Sequence, residues 1–280
     1  MRIGIVTRSF PEMDNAQAAA FMAENGFSST ELCLSQIDSR YWVYNGTSDL
    51  AELSEQRVGQ IADTYRGQGI EVSALGVFTN LIEPDDEKLA ANLAYFERHM
   101  QYAAHAAIPV VATECGFDPA SRGVRADLYE ARYGRLIDSL GRLCALAERY
   151  GVDVALEPCV LDVVPSAKRM ADTIGQVGSP RLKVLLDPAN LIANSSERDM
   201  FDYLAPHVAY FHGKDRKVND AYGRVVGDGD IDWPLFLRLY HQRCEGAPFI
   251  LEYANAGNCA GIRNRVIEYD QQSQTMGGHS

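Results

Sequence analysis

Short apolar runs rich in Val, Ile and Leu alternate with longer amphipathic stretches from one end of the chain to the other. The apolar runs are RIGIVT (2–7), STELCLS (29–35), EVSALGVF (71–78), VVATEC (110–115), DVALEP (153–158), LKVLLD (182–187), VAYFHG (208–213) and FILEYA (249–254). Most are continuous and not alternating, which is the pattern of strands buried on both faces in a parallel sheet. Between them, apolar residues recur at three- and four-residue spacing over roughly 15–25, 49–67, 85–106, 125–150, 166–177, 197–205, 233–245 and 259–270. That spacing predicts helices with one buried face. In segment 85–106, Leu89, Leu93, Phe96 and Met100 form one stripe behind the acidic start DDE, where negative charge suits a helix N-terminus. Glycines in ENGF, GQGIEV and RYGVDV stand at helix-to-strand junctions and fit the left-handed residue that ends a helix.

Eight strand–helix units in 280 residues average about 35 residues each, which predicts an α/β fold of the single (β/α)8 (TIM) barrel type. The rival, a doubly wound open sheet, would carry a glycine-rich phosphate loop after its first strand; here that loop reads TRSFPEMDNA and has no such signature. The glycines of GRVVGDGDIDW lack the lysine and helix context of a nucleotide loop, and we expect them to order the loop after the seventh strand. Asp230 or Asp232 would cap the helix that starts near Trp233. No Pro/Ser-rich linker interrupts the pattern, so residues 1–270 are expected to form one domain, with a frayed tail over 271–280. After the second strand the long segment QIDSRYWVYNGTSD would bring Tyr41, Trp42 and Tyr44 to the barrel mouth.

Composition narrows the function. At 46% hydrophobic and 23% charged residues, the chain has the make-up of an ordinary soluble globular protein. Its net charge of -12 and its pI near 4.9 work against nucleic-acid binding, which relies on clustered Lys and Arg. The six cysteines are scattered without a CxxC pair and read as reduced thiols of a cytoplasmic protein. The first apolar run stops at Thr7-Arg8, too short for a signal-peptide core, and no run approaches the roughly 18 apolar residues of a membrane span.

In a barrel, chemistry belongs at the C-terminal ends of the strands. Four consecutive strands of the second half place a potential metal ligand there: Glu157 in VALEP, Asp187 in VLLDPAN, His212 in YFHGKD and Glu252 in ILEY. Any one of these has an ordinary structural explanation, such as a helix cap, a turn or an ion pair. Together, three acids around one rim would repel each other strongly unless something neutralised them. A divalent cation does so, and three carboxylates with one imidazole suit Mn2+, Mg2+, Co2+ or Zn2+.

These residues resemble the xylose isomerase-like barrel superfamily, the sugar phosphate isomerase/epimerase-like proteins, through VVATECG, VALEP, LLDPANL, FHGKD, GDGDIDW and ILEY. The resemblance spans nearly the whole chain. It implies one divalent ion, most readily Mn2+, held by Glu157, Asp187, His212 and Glu252 in that order. It further implies a small sugar or cyclitol substrate and a homodimer or homotetramer. Ketose 3-epimerases usually have a histidine three residues after the metal Asp, where this chain has Asn190. They also follow the metal His with a Thr-Gly-Glu type segment and a substrate-binding Arg, where this chain has Gly213-Lys214-Asp215-Arg216.

The chemistry expected is proton transfer next to a sugar carbonyl through an enediolate, with Glu157 and Glu252 as acid and base. Glu114, Asn190, Lys214 and Arg216 are the candidate substrate-binding groups, with Trp42 and Phe10 as covers for a sugar face. The alternatives are dehydration of an inosose or related keto-cyclitol and a non-catalytic sugar-binding role. An apurinic endonuclease of the same barrel would need a histidine-rich three-zinc site, and only one of the six histidines falls at a plausible strand end. His207 precedes its strand and is expected at the opposite end of the barrel.

Overall fold

The eight apolar runs form parallel strands that close on one another in chain order. They are β1 (Ile3–Ile5), β2 (Ser29–Leu32), β3 (Glu71–Gly76), β4 (Val110–Glu114), β5 (Asp153–Glu157), β6 (Leu182–Leu186), β7 (Val208–Gly213) and β8 (Phe249–Leu251). The ring closes where β1 pairs with β8, Gly4 opposite Ile250. The structure is a computed structural model and describes residues 1–275 apart from 122 and 124. Helices α1 (Asn15–Glu24), α2 (Glu55–Gly67), α3 (Asp86–His105), α4 (Tyr129–Tyr150), α5 (Ala167–Val177), α6 (Pro188–Leu191), α7 (Glu197–Leu204), α8 (Trp233–Arg243) and α9 (Cys259–Thr275) connect and surround the strands. Among the described residues no helix is long and apolar enough to cross a membrane.

Local chemistry sets the helix limits. Asp14 and Gln17 make a reciprocal capping box at α1, and the Asp85 carboxylate accepts from the Glu87 and Lys88 amides at α3. Helix α2 begins at Glu55 and not near 49, because the Ser54 hydroxyl caps the Arg57 amide there. Gly26, Gly69 and Gly151 take φ of 75°, 78° and 69°, the left-handed conformation expected at those junctions. At the other terminus α9 runs on to Thr275 with Ser273 buried, so the first half of the expected tail is helical; residues 276–280 lie outside the described residues.

Two apolar layers hold the barrel together. The larger lies between strands and helices, with Phe96, Phe201, Phe211, Phe236 and Leu136 among its fully buried members. The smaller fills the barrel interior with Val6, Ala74, Ala112, Ala155, Leu185, Tyr210 and Ile250. This interior is a packed plug, so the reactive groups have to sit above it, at the C-terminal ends. Two register shifts interrupt the strand pairing, between Thr30 and Glu31 in β2 and between Val184 and Leu185 in β6. Such irregularities re-aim side chains, and the first of them directly precedes Glu31.

Candidate metal centre and active site

Glu157 closes β5, Asp187 follows β6 and caps α6, His212 lies near the end of β7, and Glu252 follows β8. One ligand atom from each converges so that all four lie within 4.8 Å of one another, and all four residues are buried. Asp187 has a structural duty as well: its Oδ1 accepts from the Ala189 amide at 2.8 Å, fixing the turn into α6. Its Oδ2 and the Oε2 of Glu252 accept no aligned hydrogen bond although both are buried. Three buried carboxylates and one imidazole converging from the ends of four strands are a donor set that fits a divalent cation.

The nearest positive charge to those two oxygens is Lys214. Its Nζ stands 2.6 Å from Asp187 Oδ2 and 2.9 Å from Glu252 Oε2, close enough for ion pairing. The lysine is 4% exposed, and its ammonium lies 5.2 Å from the centre of the Tyr253 ring. Arg8, just beyond β1, ion-pairs with Glu252 Oε1 and stacks over Trp42 at 5.4 Å and Phe78 at 5.6 Å. Glu252 is therefore held from two sides, by residues that follow β1 and β7. Tyr253 takes a φ of 58° immediately after it, a strained conformation of the kind that gathers at functional sites.

His212 is held by an acid from across the barrel. Its Nε2 lies 2.9 Å from Glu31 Oε2, which also accepts from the Tyr210 hydroxyl at 2.5 Å. An Nε2–H donated to Glu31 leaves Nδ1 facing the cluster, 3.3 Å from Glu157 Oε1 and 3.8 Å from Glu252 Oε2. A carboxylate behind a histidine in this way fixes its tautomer and ring orientation for a metal. Glu31 escaped the sequence reading because it lies inside a strand and not at its end. The signal was there: an acid in the middle of STELCL has to find a partner if the strand is buried.

Among the protein charges alone, burial and pairing compete at each site. Burial would raise Glu157, but the charge and hydrogen bond of His212, with Lys214 beyond, bring its carboxyl down to about 2. Burial pushes Asp187 up to about 6; the charge of Lys214 offsets this only in part, and repulsion from Glu157 adds to the rise. For His212, burial disfavours the imidazolium, yet the carboxylates of Glu157 and Glu31 push it up to about 9. Burial and the neighbouring charge of Glu157, paired to it across β4 and β5, raise Glu114.

A cavity of about 430 Å³ adjoins this cluster through Asn190 and Lys214, and is lined also by Tyr44, Glu114, Leu161, Arg216 and Tyr253 among others. Four of the substrate-binding candidates, Glu114, Asn190, Lys214 and Arg216, thus share one wall system. Asn190 donates to Glu157 Oε1 at 2.9 Å and accepts from Arg216 at 3.1 Å, linking cavity and cluster. Tyr44, carried by the long segment after β2, donates to Glu114 at 2.6 Å. Trp42 stands behind Arg8 and lines a separate crevice with Phe78 and His99. Phe10 is in the core, edge-on to Phe21 at 5.3 Å, and does not line the cavity. His207 immediately precedes β7, away from the cluster.

Residues 19–274 match the family described as xylose isomerase-like TIM barrel. The chain belongs to that family. No curated protein sequence matches it. Solved structures of the same fold include a D-psicose 3-epimerase studied with D-fructose, at 18% identity and a TM-score of 0.70, with 99% of this chain and 98% of that one aligned. Another is a 3-keto-D-glucoside 4-epimerase from E. coli, at 13% identity and a TM-score of 0.75, covering 96% and 99%. A third, the IOLI protein with a bound zinc atom, aligns at 15% identity and a TM-score of 0.73 over 98% and 96%. These structures are two sugar epimerases and a barrel with bound zinc, and at such identities the likeness establishes the fold.

Proposed function

We propose that the protein is a divalent-metal-dependent sugar isomerase or epimerase that moves a proton next to a carbonyl, with Glu157 and Glu252 as its acid and base. The observation that carries this reading is the convergence of one ligand atom from each of Glu157, Asp187, His212 and Glu252 within 4.8 Å, beside a cavity that Asn190 and Lys214 join to the cluster. The epimerases among the structural neighbours support it. A bound divalent ion, for which three carboxylates and one imidazole favour Mn2+, would polarise the substrate carbonyl and offset enediolate charge.

The protein's own groups would do the rest. Asp187 and His212 are held by the Ala189 amide and by Glu31, and would serve as fixed ligands. Glu157 and Glu252 come from β5 and from the end of β8, so a carbon placed between them meets a carboxylate on either side. One removes the proton and the other returns it, at the same carbon for epimerisation or through the neighbouring oxygens for isomerisation. Asn190, donating to Glu157, orients that base; Arg8 and Lys214 hold Glu252.

Metal analysis of the purified protein, followed by solvent-deuterium exchange with ketoses, aldoses, their phosphates and inososes, tests the proposal. We expect metal-dependent deuterium incorporation without loss of water, and its disappearance in Asp187→Ala. Product NMR showing loss of water would move the reaction to dehydration, and an Asp187→Ala variant with unchanged metal content would overturn the metal centre itself.

A further inference from the structure

Two cations of the segment after His212 line the same cavity, and the structure separates their roles. Lys214 is engaged with the carboxylates of Asp187 and Glu252. Arg216 is not: among the described residues no carboxylate lies within ion-pairing distance of its guanidinium, although the residue is only 4% exposed. Its Nε has no hydrogen-bond partner, its NH1 reaches only the carbonyls of Asp220 and Ala221 at 3.5 and 3.4 Å, and its NH2 donates to Asn190 at 3.1 Å.

The acids nearest in sequence are already committed. Asp215 accepts from the amides of Arg216, Gly227 and Ile231 and from the Trp233 indole, organising the loop between β7 and α8. Asp220 pairs with Arg224, and Asp230 accepts from the Val218 amide. Glu114, on the same cavity, is bound by Tyr44. A buried guanidinium without a counter-ion is costly to keep, and its planar fork is suited to a carboxylate or phosphate.

We infer that Arg216 anchors an anionic group of the substrate, a carboxylate or a phosphate, on the Asn190 side of the metal cluster. The substrate class is then a sugar acid or sugar phosphate and not a neutral sugar. Asn190 bridges Arg216 and Glu157 through hydrogen bonds of 3.1 and 2.9 Å, so a bound anion would also set the position of the proposed base. The assignment rests on the proposed function for the identity of the substrate, but the anion site can be measured without turnover.

The test is calorimetric titration of the metal-loaded protein with inorganic phosphate, D-gluconate and the neutral polyol D-glucitol. Wild type should bind phosphate or gluconate at least about tenfold more tightly than glucitol, and Arg216→Gln should erase that margin while Arg216→Lys keeps part of it. Tighter phosphate assigns a sugar phosphate, and tighter gluconate a sugar acid. Equal binding of all three by wild type overturns the inference without any variant, as does a margin that survives in Arg216→Gln. If anions bind through Arg216 while no carbonyl compound exchanges hydrogen, the proposed function fails and the anion site stands. If neutral ketoses exchange and anions show no preference, the anion site fails and the function stands.

Discussion

His212 at the barrel mouth and His99 in α3 are both shut away from solvent, at 0% and 3% exposure. Their surroundings differ. His99 lies against the rings of Tyr95 and Tyr102, with Nδ1 at 2.9 Å from the Tyr95 carbonyl, and burial drives its pKa down to about 4. His212 meets the same burial, but Glu31 and Glu157 flank its ring and push it up to about 9. One histidine is a neutral packing group; the other is embedded in charge that the fold must balance. Burial of a titratable residue therefore says little about function. The carboxylates gathered around it, and the charge they ask for, separate the two regions.

That contrast can be broken from the largest effect down. Glu157→Gln removes the proposed base while keeping its shape, and proton transfer should slow by about 10²–10⁴-fold, read as the rate of solvent-deuterium exchange at saturating metal. A rate within a few-fold of wild type would take Glu157 out of the chemistry. Glu31→Gln leaves all four ligands in place but removes the charge behind His212, and divalent-metal affinity should fall by about 10–100-fold in competition with a chelating dye. Unchanged affinity would reduce Glu31 to a packing role.

The smallest effect belongs to His99. Because its folded pKa lies below the ordinary value of 6.5, the unfolded chain takes up a proton first as the pH falls. The stability held by the neutral ring is present above pH 6.5 and is lost on acidification towards pH 4. Between pH 7 and pH 5 this should cost about 2 kcal/mol, measured from urea unfolding midpoints and slopes, and His99→Gln should flatten the dependence. A variant as acid-sensitive as wild type would show that the loss arises elsewhere.

Much of this was legible without coordinates. All eight strands fall within the apolar runs, and the four residues that converge as candidate ligands lay in plain sight because strand ends are also where an apolar run stops. Glu31 was not legible as a site residue: its partner His212 lies 181 residues away in sequence, and it faces that partner next to a register shift that no local pattern reveals. Phe10 and Trp42 look equally suited to cover a sugar, and the sequence has no means of telling a ring packed on Phe21 from one held over Arg8.

Lys214 and Arg216 mark the boundary most sharply. As a sequence, GKDR offers two cations two residues apart with equal claim on an anion. Apolar periodicity and strand-end chemistry determined the barrel and picked out the four candidate ligands, because those depend on spacing along one chain. Only the tertiary structure decided that Lys214 is taken up by Asp187 and Glu252 while Arg216 lines the cavity with no carboxylate beside it among the described residues. Pairing between charges is settled by a few ångströms in space, and strands β6, β7 and β8 reach that proximity only when the barrel closes.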